Sequence, residues 1–358
     1  MINNPQNSFD LLKRFHYYNN ERLQGGCKMG ITRDFFIKLS ENETLNTAAK
    51  KYGLALGAHK VVAGTDIETT IESIRALNAK NISATVDNLG EFVFSKDEAT
   101  AAKNNILEMI QAIYDAGVDA HMSIKLTQIG LDVDREFCYE NVREILMKAY
   151  ECGNMHVNMD TEDYNHTVQT FEMLDRLKGE FKNVGTVIQA YLFRASEEID
   201  KYQDVRLRLV KGAYKEDASV AYQSKEEIDA NYIKIIEQRL LNAKAMTSIA
   251  THDHNIIDHV KKFIAQHNLN KDLIEFQMLY GFRSELQVEI ANSGYNFCTY
   301  VPYGQDWYGY FMRRLAERPQ NLQLVYKSIA TPEVKKNAGI AAGAAVGIIA
   351  LSKLFKRK

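Results

Sequence analysis

The chain has 358 residues, of which 46% are hydrophobic and 25% charged, the balance of a soluble globular protein with a sizeable core. Lysine and arginine number 44 against 46 acids, a net charge of −2, which argues against a nucleic-acid partner, because phosphate contacts call for a basic surplus. Four scattered cysteines (Cys27, Cys138, Cys152 and Cys298) form no Cys-x-x-Cys pair and no zinc spacing, and read as reduced thiols of a cytoplasmic protein.

The opening "MINNPQNSFDLLKRF" has no apolar core of signal-peptide length, so secretion is not expected. The first eighty residues look helical. Within them "TDIETTIESIRALNAKN" begins with a Thr-x-x-Glu capping pattern at Thr65 and continues with apolar residues at helical spacing. From about residue 83 short β-type runs recur: "SATVDNLGE", "AHMSIKLTQIG", "MHVNMDTED", "GTVIQAYLF", "VRLRLVKGAY", "SIATHDHN", "LIEFQMLYG" and "NFCTYVPYG". Long amphipathic segments such as "EATAAKNNILEMIQAIYDAG" and "NYIKIIEQRLLNAKA" separate most of them. Eight strands alternating with helices favour a parallel (β/α)8 TIM-type barrel over an open doubly wound sheet. No Gly-x-Gly-x-x-Gly follows a strand, so a dinucleotide site of the Rossmann kind has no support. The expected organisation is an N-terminal helical arm over 1–80, the barrel over 81–330 and an apolar helical tail over 331–358.

In a barrel the chemistry lies at the C-terminal ends of the strands. Asp87, Lys125, Asp160, Gln189, Arg208 with Lys211, Thr251 with His252, and Tyr300 all sit at or near the end of an apolar run. Lys125, flanked by apolar residues, is costly to bury alone. It either snorkels to the rim or aims a cation into the mouth, to bind an anion or form a Schiff base. Asp160 either caps the next helix or holds a cation. Arg208 suits a flavin ring or a phosphate, or else pairs with a neighbouring acid, and Lys211-Gly212-Ala213 makes a tight turn in which the backbone can approach a ligand. His252 and His254 share a face, but no third ligand accompanies them, so no metal is expected and Thr251 with His252 are better read as cofactor contacts.

In "YVPYGQDWYGYFMRRLAERPQN", Asp306 is a candidate N-cap for a helix over about 307–317. Tyr310 precedes Arg313 and Arg314 by three and four residues, so the ring and the guanidiniums share one region. The plain alternative is a solvated helix with an Arg313–Glu317 pair, which contributes only ~0.3–0.5 kcal/mol. Guanidinium forks match planar carboxylates. With Lys125 the two arginines make three cations for one carboxylate, with Tyr300 as a wall, and point to an amino or carboxylic acid as substrate.

Together "SIKLTQIGL", "RLVKGAY", "ATHDHN", "EFQMLYG" and "YVPYGQDWYGYFMRRLAERPQN" resemble, in order, the proline dehydrogenase family over about residues 40–326. The length resembles that of the monofunctional bacterial type, without a second, aldehyde-oxidising domain. The resemblance implies a distorted barrel holding non-covalent FAD. It also implies oxidation of L-proline to Δ1-pyrroline-5-carboxylate, the first step toward glutamate, with electrons passed to a membrane quinone and the product to a pyrroline-5-carboxylate dehydrogenase. Carried over, Lys125, Arg313 and Arg314 bind the proline carboxylate, Asp160 and Arg208 are catalytic with Arg208 near the flavin N5, and Tyr214, Leu279 and Tyr300 wall the ring. Thr161, Gln189, Arg208, Lys211, Gly212, Ala213, Thr251 and His252 contact FAD. The rival classes are a Schiff-base lyase built on Lys125 and a non-catalytic amino-acid-binding protein.

The chain ends in "KKNAGIAAGAAVGIIALSKLFKRK", in which residues 338–351 carry no polar side chain and basic residues flank both sides. Gly339, Gly343 and Gly347 stack on one helical face. As a helix the apolar stretch spans roughly 21 Å, short of the ~30 Å hydrocarbon core. It is read as a membrane anchor or re-entrant segment that keeps the enzyme at the inner face of the cell membrane, or else as a loosely ordered Ala/Gly-rich tail or a helix packed on the barrel.

Overall fold

A computed structural model describes residues 62–90 and 93–310. Eight parallel strands close in chain order into a barrel: β1 (Ser83–Asn88), β2 (Ala120–Lys125), β3 (Val157–Asp160), β4 (Val184–Gln189), β5 (Arg206–Val210), β6 (Thr247–Ala250), β7 (Ile274–Leu279) and β8 (Asn296–Tyr303). The β8–β1 seam is paired at six positions, from Ser83 opposite Cys298 to Asn88 opposite Tyr303. The expectation of an eight-stranded TIM-type barrel is met.

Among the described residues a helix precedes β1 and one follows each of the first seven strands. They are α1 (Ile67–Asn78), α2 (Lys96–Ala116), α3 (Arg135–Glu151), α4 (Tyr164–Leu177), α5 (Ala195–Lys201), α6 (Lys225–Asn242), α7 (His254–Gln266) and α8 (Ser284–Asn292). Most start at a side chain that satisfies an otherwise orphaned amide. Ser95, Asp134, Asp163 and Asp253 cap α2, α3, α4 and α7, and Ser224 with Glu227 forms a full capping box on α6. At α1 the cap is Asp66, which accepts from Thr69 N at 2.9 Å, rather than Thr65 one residue earlier. A carboxylate one position nearer the first turn takes the amide instead.

Alternation along the strands runs opposite to that of a sheet with one wet face. Apolar residues such as Val86, Met122, Ile124, Met159, Leu207, Leu209, Ile249 and Phe276 are buried in the main core with Ile106, Met109, Ile110, Val142, Ile145, Leu174, Ile235 and Val260 of the helices. The intervening residues turn to the barrel axis, and there they are largely polar: Thr85, Asp87, His121, Ser123, Asn158, Asp160, Arg208, Ser248, Glu275 and Gln277 are all buried. Low on the axis, Arg206 Nη2 meets both Glu275 oxygens at 3.2 Å, and Ser248 and Gln277 each donate to Glu275 Oε1 at 2.7 Å. His121 and His156 lie beside them, ring centroids 5.3 Å apart. Burial, reinforced by Arg206, lowers both imidazoles well below the usual histidine range.

No helix among the described residues is long and apolar enough to cross a membrane. The apolar tail, and most of the expected N-terminal arm, lie outside those residues.

One buried arginine closes the bottom of the α/β layer. Arg239 of α6 donates to the carbonyls of Tyr202, Val205 and Ala245 and to Thr247 Oγ1, and is fully buried. Replacing it with methionine keeps the packing but strands these acceptors. Arg239→Met is expected to lose about 2–4 kcal/mol of unfolding free energy in urea titration.

Candidate active site

The mouth of the barrel is built around two ion pairs. Asp160, last residue of β3, accepts at Oδ1 from Arg208 Nη1 (2.7 Å), Ser123 Oγ (2.7 Å) and Asn158 Nδ2 (2.8 Å), and at Oδ2 from the Tyr300 hydroxyl (2.9 Å). Arg208 Nη2 also donates to Ser123 Oγ at 3.1 Å and to Thr85 Oγ1 at 3.2 Å. The Tyr300 ring stands 5.1 Å from the guanidinium carbon. Next to this set, Lys125 Nζ donates to both oxygens of Asp87 at 2.7 Å. Register brings the pairs together, since Lys125 lies opposite Asp160 across β2 and β3.

The two carboxyls respond differently. Burial works against the charge of Asp160, but Arg208, Lys125 and the hydrogen bonds from Ser123 and Tyr300 outweigh it and leave its pKa lowered. Burial dominates at Asp87, Lys125 offsets it only in part, and nearby Asp160 adds to it, so that pKa is raised. Asp160 does not cap the following helix, a task that falls to Asp163.

The remaining candidate residues line the rim. Gln189 donates to the Glu162 carbonyl at 2.8 Å and to Thr167 Oγ1 at 3.1 Å. Lys211 lies 2.5 Å from Asp229 Oδ1 and 3.5 Å from Asp253 Oδ2. Thr251 Oγ1 accepts from Asp253 N at 3.1 Å, and His252 Nε2 accepts from the Leu279 amide at 3.4 Å, tying the loop after β6 to the end of β7. Gly212 has φ of +110°, and a Cβ there would lie 2.3 Å from the Tyr191 ring. Only glycine fits, and the neighbour that demands it is a tyrosine of the protein itself. Ala213 follows on the exposed side of this turn, and Tyr214 packs against the small cluster of Tyr191, Leu192 and Ala221. Tyr300 lies three residues inside the end of β8, deeper than its place in the sequence suggests. Residues 307–310 are helical directly after Asp306, while Arg313 and Arg314 lie outside the described residues.

Sequence reasoning placed Asp87 at a strand end without giving it a partner, and did not single out Thr85, Ser123 or Asn158. The signal available was their spacing, two residues before or level with the charged groups, on the face that turns inward.

The donors of the mouth and its rim that are buried without a hydrogen-bond partner among the described residues include Arg208 Nε and Thr161 Oγ1. A ligand rich in acceptors laid across the strand ends would satisfy both, so the residues present fit FAD. The loop that carries Thr161 is fastened by His166, whose Nδ1 meets Asp163 at 2.8 Å and whose Nε2 meets Asp132 at 3.0 Å. Hydrogen bonds to Asp132 and Asp163 raise its pKa to about 10.

The sequence profile described as "Proline dehydrogenase" matches residues 70–327. "Proline dehydrogenase 2" of Bacillus subtilis (strain 168) is 44% identical over 301 residues, 84% of this chain and 99% of that protein. "Proline dehydrogenase" of Deinococcus radiodurans is 41% identical over 279 residues, 76% of this chain and 89% of that one. Among solved structures, proline utilization A of Bdellovibrio bacteriovorus, inactivated by N-propargylglycine, aligns with a TM-score of 0.69 at 22% identity. The alignment covers 86% of this chain and 41% of the longer protein, and at that identity it speaks to the fold alone.

The His166 clamp has a defined pH signature. A histidine raised from 6.5 to about 10 contributes stability that is fully present below pH 6.5 and lost as pH rises toward 10. His166→Gln is therefore expected to flatten the decline of unfolding free energy over that window, read by chemical denaturation at a series of pH values.

Proposed function

The chain belongs to the proline dehydrogenase family, and on that premise we propose that the ion pairs in its barrel mouth hold L-proline against the flavin, with a membrane quinone as final acceptor. The reaction is the family's own, oxidation of proline to Δ1-pyrroline-5-carboxylate by an enzyme carrying FAD. A lyase built on Lys125 and a binding protein without turnover are thereby set aside.

The observation that carries the assignment of roles is charge balance. Asp87, Lys125, Asp160 and Arg208 are two acids and two cations within hydrogen-bond distance, neutral as a set. A substrate carboxylate adds a negative charge, which is costly to bury without further cations. Arg313 and Arg314 supply them, in the fork geometry that suits a carboxylate, with Lys125 as the third cation. Tyr300, Tyr214 and Leu279 wall the pyrrolidine ring and keep water from it. Asp160 orients Arg208, and a fixed cation at the reacting edge of the cofactor favours its electron-rich reduced form. FAD, when bound, supplies the acceptor for the hydride that leaves the proline carbon next to nitrogen. Its seat is Thr161, Gln189, Lys211, Gly212, Ala213, Thr251 and His252 together with Arg208, a reading supported by their shared place at the strand ends and by the orphaned Arg208 Nε and Thr161 Oγ1.

In this reading residues 1–80 form the arm, 81–330 the catalytic barrel and 331–358 a tail that contacts the membrane from the cytoplasmic side. The support for the tail is its composition, fourteen residues without a polar side chain between basic flanks. The product passes to a pyrroline-5-carboxylate dehydrogenase.

Under anaerobic conditions L-proline, but not D-proline, is expected to bleach the flavin bands of the purified protein. Lys125→Met should raise the L-proline concentration needed by about 10–100-fold, the effect of losing a charge-assisted contact, while leaving the oxidised spectrum unchanged. A colourless protein that FAD does not reconstitute would sink the assignment. Deleting residues 334–358 should move the enzyme from the membrane to the soluble fraction, and identical fractionation with and without the tail would remove the anchor.

A further inference from the structure

Below the two ion pairs lies a layer that the reaction does not touch directly. Ser123 and Thr85 are 1% and 0% exposed, and both accept from the same nitrogen, Arg208 Nη2. Arginine can only donate, and Ser123 commits its single proton to Asp160 Oδ1. The polarity of the ring Arg208 Nη1 to Asp160 Oδ1, Ser123 Oγ to Asp160 Oδ1, and Arg208 Nη2 to Ser123 Oγ is therefore fixed. Without Ser123, Nη2 keeps only the longer contact to Thr85 Oγ1, and without both hydroxyls the guanidinium would be held through Nη1 alone and could pivot about that contact. With the pair of hydroxyls in place, two nitrogens are anchored and the guanidinium plane is defined, with the Tyr300 ring 5.1 Å from its carbon.

We propose that Ser123, assisted by Thr85, is a positioning residue for the reaction, holding the guanidinium of Arg208 so that its buried, unpartnered Nε is the donor presented to the flavin. This rests on the reading that Arg208 faces the cofactor. Alanine at 123 removes one oxygen and keeps the rest of the side chain, so its effect is one of orientation more than of volume.

The test uses the FAD-loaded enzyme and three variants, Ser123→Ala, Ser123→Ala with Thr85→Val, and Arg208→Lys. Three quantities are read: the midpoint potential of the bound flavin, kcat and KM for L-proline, and the thermal unfolding midpoint. Ser123→Ala is expected to make the potential more negative and to lower kcat about tenfold, on the scale of one charge-assisted hydrogen bond, with KM changed less than about twofold. The double variant should go further in the same direction. If Arg208→Lys shifts the potential while both serine variants lower only the unfolding midpoint, Ser123 is merely structural and the proposal is overturned. If Arg208→Lys itself leaves the potential unmoved, the reading that Arg208 faces the flavin fails first and takes this one with it.

Discussion

The Asp160–Arg208 pair is the constraint on which the rest of the barrel depends. Two charges taken out of water lose several kcal/mol of hydration each, and their attraction repays this only when further hydrogen bonds satisfy most of the remaining donors and acceptors. Here the partners come from five strands: Arg208 from β5, Asp160 and Asn158 from β3, Thr85 from β1, Ser123 from β2 and Tyr300 from β8. The axis is thus occupied by a hydrogen-bonded polar column, and the apolar burial that stabilises the fold is moved outward to the contact between strands and helices. A barrel arranged in this way keeps its interior for chemistry and its stability for the surrounding layer.

Around the rim, candidate contacts are held by their neighbours as well as by their own strands. His252 reaches across to the Leu279 amide, its carbonyl accepts from Arg283 Nη1, and Lys211 is drawn between Asp229 of α6 and Asp253 at the start of α7. Each loop is cross-linked to the next element, so the geometry presented to a ligand is set before the ligand arrives. That is the preorganisation on which electrostatic catalysis relies.

The architecture was legible in the sequence because eight β-type runs alternate with long amphipathic segments, and every one of those runs covers a strand to within one residue at its start. The charged groups at the strand ends were legible too, since an arginine or lysine amid apolar residues is conspicuous. Their partners were not. Asp87 and Lys125 lie 38 positions apart and meet only through the β1–β2 register, while Thr85, Ser123 and Asn158 look like ordinary strand residues until the inward face is known. Gly212 was read as making room for a ligand, whereas its positive φ and the ring of Tyr191 already require it. At Asp160 the sequence favours a counter-ion over a cap by depth alone, and what separates them in the structure is Asp163, three residues on, which takes the helix amide.

The polar column also bears on how such a sequence can drift. In an apolar core, neighbouring side chains exchange volume and absorb single changes. Arg208 and Asp160 have no such freedom, because changing one partner leaves the other as an uncompensated buried charge, and the same holds for Glu275 if Arg206, itself only partly buried, is lost. Substitutions on the axis must therefore arrive in pairs, or pass through a destabilised ancestor. In the lower layer, although it lies below the reacting groups, Glu275 should resist the loss of Arg206 over evolutionary time, and positions on β5 and β7 should covary there.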